Sequence, residues 1–173
     1  MKPALGTLFA CGILLGGCSS ISTNFDYDAK ADFAALQTYR WLPPPKNPAV
    51  NSLSRDRILA AVNTGLIAKG YRQVNANADF EVAIHGGSQD RVQVTDWGYT
   101  YGPRGAYRGG RGVDVYQYRE GTLILDIVDA NTHKLIWRGT ARKALHSNPT
   151  PEERTKTINA AVEKILKGFP PTK

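Results

Sequence analysis

The sequence predicts an α+β fold: an antiparallel sheet of about five or six strands with two helices packed on one face. Three observations predict it. Several segments alternate apolar and polar residues, as in Thr38-Tyr39-Arg40-Trp41-Leu42, and read as half-buried strands. Two others repeat apolar residues every three or four positions and read as helices. Their order is strands, helix, several strands, helix, which suits helices laid on one side of an antiparallel sheet.

In chain order, a leader comes first. Met1, Lys2 and Pro3 precede an apolar run from Ala4 to Leu15, well short of the roughly 20 residues a spanning helix needs, so residues 1–17 read as a signal peptide. Leu15-Gly16-Gly17-Cys18 resembles the bacterial lipobox, which implies diacylglyceryl transfer to Cys18, cleavage after Gly17 and acylation of the new amino terminus. Cys11 fits less well, since Phe9 stands where a small residue is wanted. The competing reading is an ordinary secretory leader that leaves Cys18 a free thiol. Each buried acyl CH₂ contributes about 0.8 kcal/mol, so two or three chains hold a protein nearly permanently. With Ser19, not Asp, after the cysteine, the resemblance implies the outer membrane, with the chain lipid-anchored and facing the periplasm.

Cutting 17 residues from 173 leaves 156, one domain able to bury a core. Cys11 leaves with the leader, so an internal disulfide and cysteine-based zinc sites are excluded. One lysine also leaves, and the formal charge of +7 falls to +6, which favours anionic partners such as lipopolysaccharide phosphates, headgroups or peptidoglycan carboxylates.

Residues 18–23 form a tether, and 24–168 the single domain. Asn24 to Asp28 alternates like a strand, Ala31 to Leu36 offers one helical turn, and Pro43, Pro44 and Pro45 interrupt regular structure. Ser52 or Ser54 is expected to cap a helix to about Lys69, with Ile58, Leu59, Val62, Leu66 and Ile67 inward and Gly70 as its left-handed stop. A short strand at Tyr71 to Val74 and a clearer one marked by Phe80, Val82 and Ile84 follow. Residues 86–112, rich in Gly, Tyr and Arg, read as a long loop or a loosely ordered hairpin. Val113 to Tyr118, Gly121 to Asp129 and Lys134 to Lys143 read as strands, with the turn at Asp129 to Thr132. Pairing residues whose numbers sum to 262 sets Leu125 opposite Trp137 and Ile127 opposite Leu135 on a buried face. Thr150, Pro151 and Glu153 open a second helix with stripe Ile158, Ala161, Val162, Ile165 and Leu166, ended by Gly168.

The motifs Tyr27-Asp28, Ala31-Asp32-Phe33, Thr38-Tyr39, Trp41, Ala68-Lys69-Gly70-Tyr71, Ala78-Asp79-Phe80, Glu120-Gly121-Thr122-Leu123, Asp126 to Ala130 and Leu135-Ile136-Trp137-Arg138-Gly139 together resemble a widespread family of bacterial outer-membrane lipoproteins that carry a domain of unknown function. The likeness covers nearly all of the mature chain. It implies an envelope location and one α+β domain, and it carries over no activity.

Catalytic patterns are lacking. Asp26-x-Asp28-x-Lys30 fails as a calcium loop, because Lys30 and Ala31 stand where a ligand and a glycine are needed and Gln37 replaces the closing Glu. His85, His133 and His146 have no second His or Cys at ligand spacing. Gly86-Gly87-Ser88 is no nucleophile elbow, and 102–112 lack a phosphate-loop ending. No cofactor, metal or catalytic residue is expected. Asp126, inside the most apolar strand, is expected to pair with a cross-strand arginine such as Arg138. The candidate ligand-binding residues are Trp97, Tyr99, Tyr101, Arg104, Tyr107, Arg108 and Arg111, because Arg forks grip phosphate or carboxylate while aromatic faces stack on sugars. The opposing reading is a hairpin with packed tyrosines and solvated arginines. The expected function is a non-catalytic envelope module for anionic glycan or lipid headgroups, held to the membrane through Cys18, with no nucleic-acid role. The alternatives are an assembly lipoprotein that binds a protein partner and an unrecognised periplasmic enzyme.

Overall fold

A computed structural model of the 173-residue chain describes residues 21–46, 49–96 and 113–172. Six strands form one sheet in the order β1-β6-β5-β4-β2-β3: β1 Ser22–Tyr27, β2 Thr38–Trp41, β3 Arg72–Gln73, β4 Phe80–Asp96, β5 Val113–Asp129 and β6 Leu135–Leu145. Helices α1, Ser52–Ala68, and α2, Pro151–Leu166, pack on one face, and a single 3₁₀ turn spans Phe33–Ala35. The α+β class is as expected, and most neighbours are antiparallel. The exception is β2, which runs parallel to both β3 and β4, so the sheet is mixed. Alternation in a short strand encodes its buried face, not its direction.

The helices end where local chemistry ends them. Thr150 Oγ1 accepts from the Glu153 N–H at 3.2 Å while Glu153 Oε2 accepts from the Thr150 N–H at 2.8 Å, a reciprocal cap for α2. Neither Ser52 nor Ser54 caps α1. Asn51 does, its Oδ1 accepting from the Ser54 N–H at 2.9 Å, because the extended chain turns helical one residue earlier than expected. Gly70 takes φ +92°, the left-handed stop expected there. Ile58, Val62 and Leu66 of α1 are buried, whereas Ile67, expected on the same stripe, is 60% exposed.

The core lies between helices and sheet. Tyr39, Phe80, Val82, Leu125, Ile127 and Trp137 of the sheet meet Val62, Leu66, Val162 and Ile165 of the helices. Phe169, beyond α2, is fully buried and lies 5.2 to 6.1 Å, ring to ring, from Trp137, Tyr71, Phe80 and Phe33. Asn63 ties helix to sheet by accepting from Tyr39 Oη at 2.9 Å and Trp41 Nε1 at 3.0 Å.

The β5–β6 register differs from the expected one by two residues. Leu125 faces Gly139 and Ile127 faces Trp137, and a bulge then brings Leu135 opposite Val128, where it is 45% exposed. The extra residue, Ile136, absorbs the shift. Gly139 is required at its position, since a side chain there would meet the Trp137 ring and Ile165 Cγ2.

Asp79 accepts from the Gln37 and Thr38 N–H groups at 3.0 and 2.8 Å and from Thr38 Oγ1 at 2.8 Å. Asp129 closes its turn by accepting from Thr132 N, Thr132 Oγ1 and Asn131 N. These hydrogen bonds, from the Thr38 hydroxyl foremost at Asp79 and the Thr132 amide foremost at Asp129, hold both carboxyls below their usual range. A depressed folded value contributes stability above the unfolded pKa of about 3.9, and that stability is lost as pH falls through the folded value. Asp79→Asn is therefore expected to shallow the acid-unfolding limb below about pH 4, read by circular dichroism against pH. An unchanged acid limb would refute the assignment.

Candidate functional site

Strands β4 and β5 pair without interruption from Phe80 opposite Asp129 to Asp96 opposite Val113. Of the two readings of 86–112, residues 86–96 follow the hairpin and not the loop, and Val113 to Asp129 is one strand, not two. His85 accordingly sits within β4. Pairing with β5 imposes the extended state on Gly86-Gly87-Ser88-Gln89-Asp90, whose own composition does not ask for it, whereas Arg91-Val92-Gln93-Val94-Thr95 alternates as a strand does.

Strand β6 reaches only as far as Leu145, opposite Arg119. Beyond it the register from Arg91–Tyr118 to Asp96–Val113 continues as a two-stranded arm, about 20 Å long at roughly 3.4 Å per residue. Arg91 bridges to Glu120 at 3.5 Å and Arg119 to Asp90 at 3.2 Å at its base, and Tyr116 and Tyr118 stack with ring centres 6.1 Å apart. In sequence, residues 97–112 connect the two arm strands. Trp97, Tyr99, Tyr101, Arg104, Tyr107, Arg108 and Arg111 all lie outside the described residues, as does Cys18.

At the base of the arm, where it passes the starts of both helices, the surface forms a groove of about 970 Å³. Its helix-side floor is aliphatic, with Val50, Ile58, Leu123, Leu145 and Ile158. Around it stand five Lys or Arg side chains, Arg91, Arg119, Arg142, Lys143 and Arg154, against the carboxylates Asp90 and Glu153. Lys143 Nζ donates to Thr157 Oγ1 of α2 at 3.4 Å, and Arg154 Nε donates to the Pro149 carbonyl at 3.3 Å. Neither has a carboxylate partner among the described residues. Sequence reasoning missed this groove, whose residues come from five separated segments; the only local signal is the cationic pair inside Ala141-Arg142-Lys143-Ala144-Leu145.

The helix-free face carries a second charged group. Asp126 and Arg138 face each other in the ladder, and the guanidinium grips the carboxylate in a fork, Nε to Oδ1 and Nη2 to Oδ2 both at 2.7 Å, as expected. His85 Nε2 lies 3.2 Å from the same carboxylate. Glu81, 2% exposed, is held by Arg40 and has His133 Nδ1 at 3.7 Å. Among the described residues no three His, Cys, Asp or Glu side chains are placed to hold a metal ion, and no helix is long and apolar enough to cross a membrane.

The sequence pattern that defines a domain of unknown function, DUF4136, matches residues 23–171. The chain belongs to that family. No curated protein sequence matches it. Among solved structures, a PDZ domain protein from Parabacteroides distasonis superposes with a TM-score of 0.61 at 13% identity, over 89% of this chain and 36% of that one. The DUF4136 chain thus spans about a third of that protein, and the likeness shows the fold alone. The PelC dodecamer from Paraburkholderia phytofirmans has a TM-score of 0.45 at 12% identity, over 89% of this chain and 100% of that one.

Proposed function

We propose that this DUF4136 chain is a lipid-anchored module on the periplasmic side of the outer membrane that binds anionic envelope components, glycan or lipid headgroups, without catalysing a reaction. The anchor rests on Leu15-Gly16-Gly17-Cys18. The observation that carries the binding role is the arm, which projects from the sheet and ends in a segment where Trp97, Tyr99, Tyr101 and Tyr107 interleave with Arg104, Arg108 and Arg111. Aromatic planes offer stacking area, and arginine forks give paired hydrogen bonds to phosphate or carboxylate.

Binding of the purified lipidated protein to lipopolysaccharide tests this. A hydrogen bond to a charged group contributes about 1.5–3 kcal/mol, so changing Arg104, Arg108 and Arg111 to Ala is expected to weaken binding at least about tenfold. Added salt should weaken the parent in the same direction. Affinity indifferent to both would sink the proposal.

A second reading, an assembly lipoprotein that takes a strand from a protein partner, is favoured by one observation. Past Tyr118 the outer edges of both arm strands have no neighbour among the described residues. Its signature is one protein retained by pull-down at high salt.

A further inference from the structure

The groove at the base of the arm differs in chemistry from the arm's tip. Leu123 and Leu145 alternate along their strands with Lys143 and Gly121 on the face turned to the helices, and Ile158 of α2 and Val50 complete the aliphatic floor. Tyr116 and Tyr118, by the same alternation, belong to the other face of β5. Both tyrosines are among the residues lining the groove, but its helix-side floor is aliphatic and suits hydrocarbon better than the stacking of sugars. About 970 Å³ stands at the upper end of the range of roughly 300–1,000 Å³ typical of small-molecule sites.

The polar rim selects the sign of the ligand. Arg119 and Asp90 neutralise each other, and Glu153 is engaged in the α2 cap. Arg142, Lys143 and Arg154 remain as cations without a carboxylate among the described residues; Arg142 belongs by alternation to the other face of β6, whereas Lys143 and Arg154 stand on facing elements of the groove, β6 and α2. An apolar floor beside two such cations is complementary to an amphiphile with one hydrocarbon chain to lay down and a phosphate to offer.

Position selects the source. Ile21 lines the groove, and Cys18 precedes it by three residues. Three residues of extended chain reach about 10 Å at most, so acylation at Cys18 would hold the Ile21 side of the groove within about that distance of the anchor and hence near the headgroup layer. We propose that the groove binds an anionic phospholipid of the leaflet that holds the protein's own anchor, with one acyl chain on Leu123, Leu145 and Ile158 and the phosphate between Lys143 and Arg154. The location rests on the anchoring proposed above, whereas the chemistry of the groove does not.

The mature protein is incorporated in phosphatidylcholine vesicles containing a trace of acyl-chain diazirine phosphatidylglycerol or, in parallel, the corresponding phosphatidylcholine probe, and crosslinked peptides are mapped. The phosphatidylglycerol probe is expected to label peptides bearing Leu123, Leu145 and Ile158 at least fivefold more than the phosphatidylcholine probe. The doubly charge-reversed variant Lys143→Glu, Arg154→Glu, altered only at side chains outside the core, is expected to lose that preference while keeping the parent's Tm. Leu145→Glu, at a strand end, should lose the labelling itself. Equal labelling by the two probes, labelling confined to residues 18–23, or a preference that survives charge reversal would overturn the proposal. Flotation with the vesicles reads the anchor separately. A chain that does not float is soluble as purified, and the same comparison is then made with dihexanoyl phosphatidylglycerol, dihexanoyl phosphatidylcholine and glycerol phosphate in buffer. At least tenfold tighter binding of the first than of either other supports the groove even when the anchor fails, and equal binding overturns it.

Discussion

Trp137→Ala is expected to destabilise the domain by about 4 kcal/mol, within the range of roughly 3–5 kcal/mol seen when a buried aromatic is truncated. Trp137 is fully buried, with ring centres 5.2 Å from Phe169 and 6.4 Å from Phe25, and its Nε1 donates to the Gly168 carbonyl at 3.0 Å. Truncation opens a cavity between β6 and α2 and removes the donor that fixes the chain after α2, so Phe169 loses a neighbour on one side and its backbone anchor on the other. Total stabilities of about 5–15 kcal/mol leave such a variant marginal. Urea unfolding gives the measurement: the midpoint should fall sharply with little change in m. Trp41→Phe, which removes one hydrogen bond to Asn63 from a partly buried ring, should cost only about 1 kcal/mol and serves as the control. A Trp137→Ala midpoint as high as the Trp41→Phe midpoint would mean that the centre of the core has been misplaced.

The contrast between Trp137 and Phe169 shows what the sequence made legible. Trp137 lies in an alternating strand, so its buried face could be read, but its partner could not. Register depended on the bulge at Ile136, which leaves no mark on the alternation: the expected pairing missed by two residues, keeping Leu125, Ile127 and Trp137 on their buried face but turning Leu135 out of it. The pairing of Asp126 with Arg138 was inconsistent with that register and was the better guide, because a buried carboxylate needs a partner more urgently than a leucine needs a particular neighbour. Phe169 is a lone aromatic in Gly168-Phe169-Pro170-Pro171, outside any period, and only the assembled helices and sheet give it a place. The start of α2 was fully legible, since Thr150, Pro151 and Glu153 act within one turn. Residues 86–90 were illegible as strand for the opposite reason. Gly86-Gly87-Ser88-Gln89-Asp90 has little local preference, and its conformation comes from β5. The groove combines both difficulties, with side chains contributed by segments that meet only in the fold.

The second large effect is expected on the helix-free face. Arg138→Met should cost about 2–3 kcal/mol, less than the roughly 3–5 kcal/mol for breaking a fully buried pair, because the Arg138 side chain is 48% exposed while that of Asp126 is 6% exposed. The asymmetry decides which partner to remove. Without Arg138, the Asp126 carboxylate keeps, among the described residues, only His85, 3.2 Å away, and no neighbouring cation of fixed charge. Glu81 cannot relieve it: on the ladder Glu81 faces Val128 and Ala83 faces Asp126, so the two carboxylates are diagonal neighbours of like charge, and Arg40 is committed to Glu81. The reverse change, Asp126→Leu, exposes no buried charge, since the half-exposed guanidinium turns to solvent, and should cost about 1 kcal/mol. The double variant Arg138→Met, Asp126→Leu replaces an ion pair by apolar groups of similar size and is expected to recover to within about 1 kcal/mol of the parent. Urea unfolding of all four proteins closes the cycle. A double variant as unstable as Arg138→Met alone would show that the arginine acts through the packing of its aliphatic stem on the sheet, not through the carboxylate it holds.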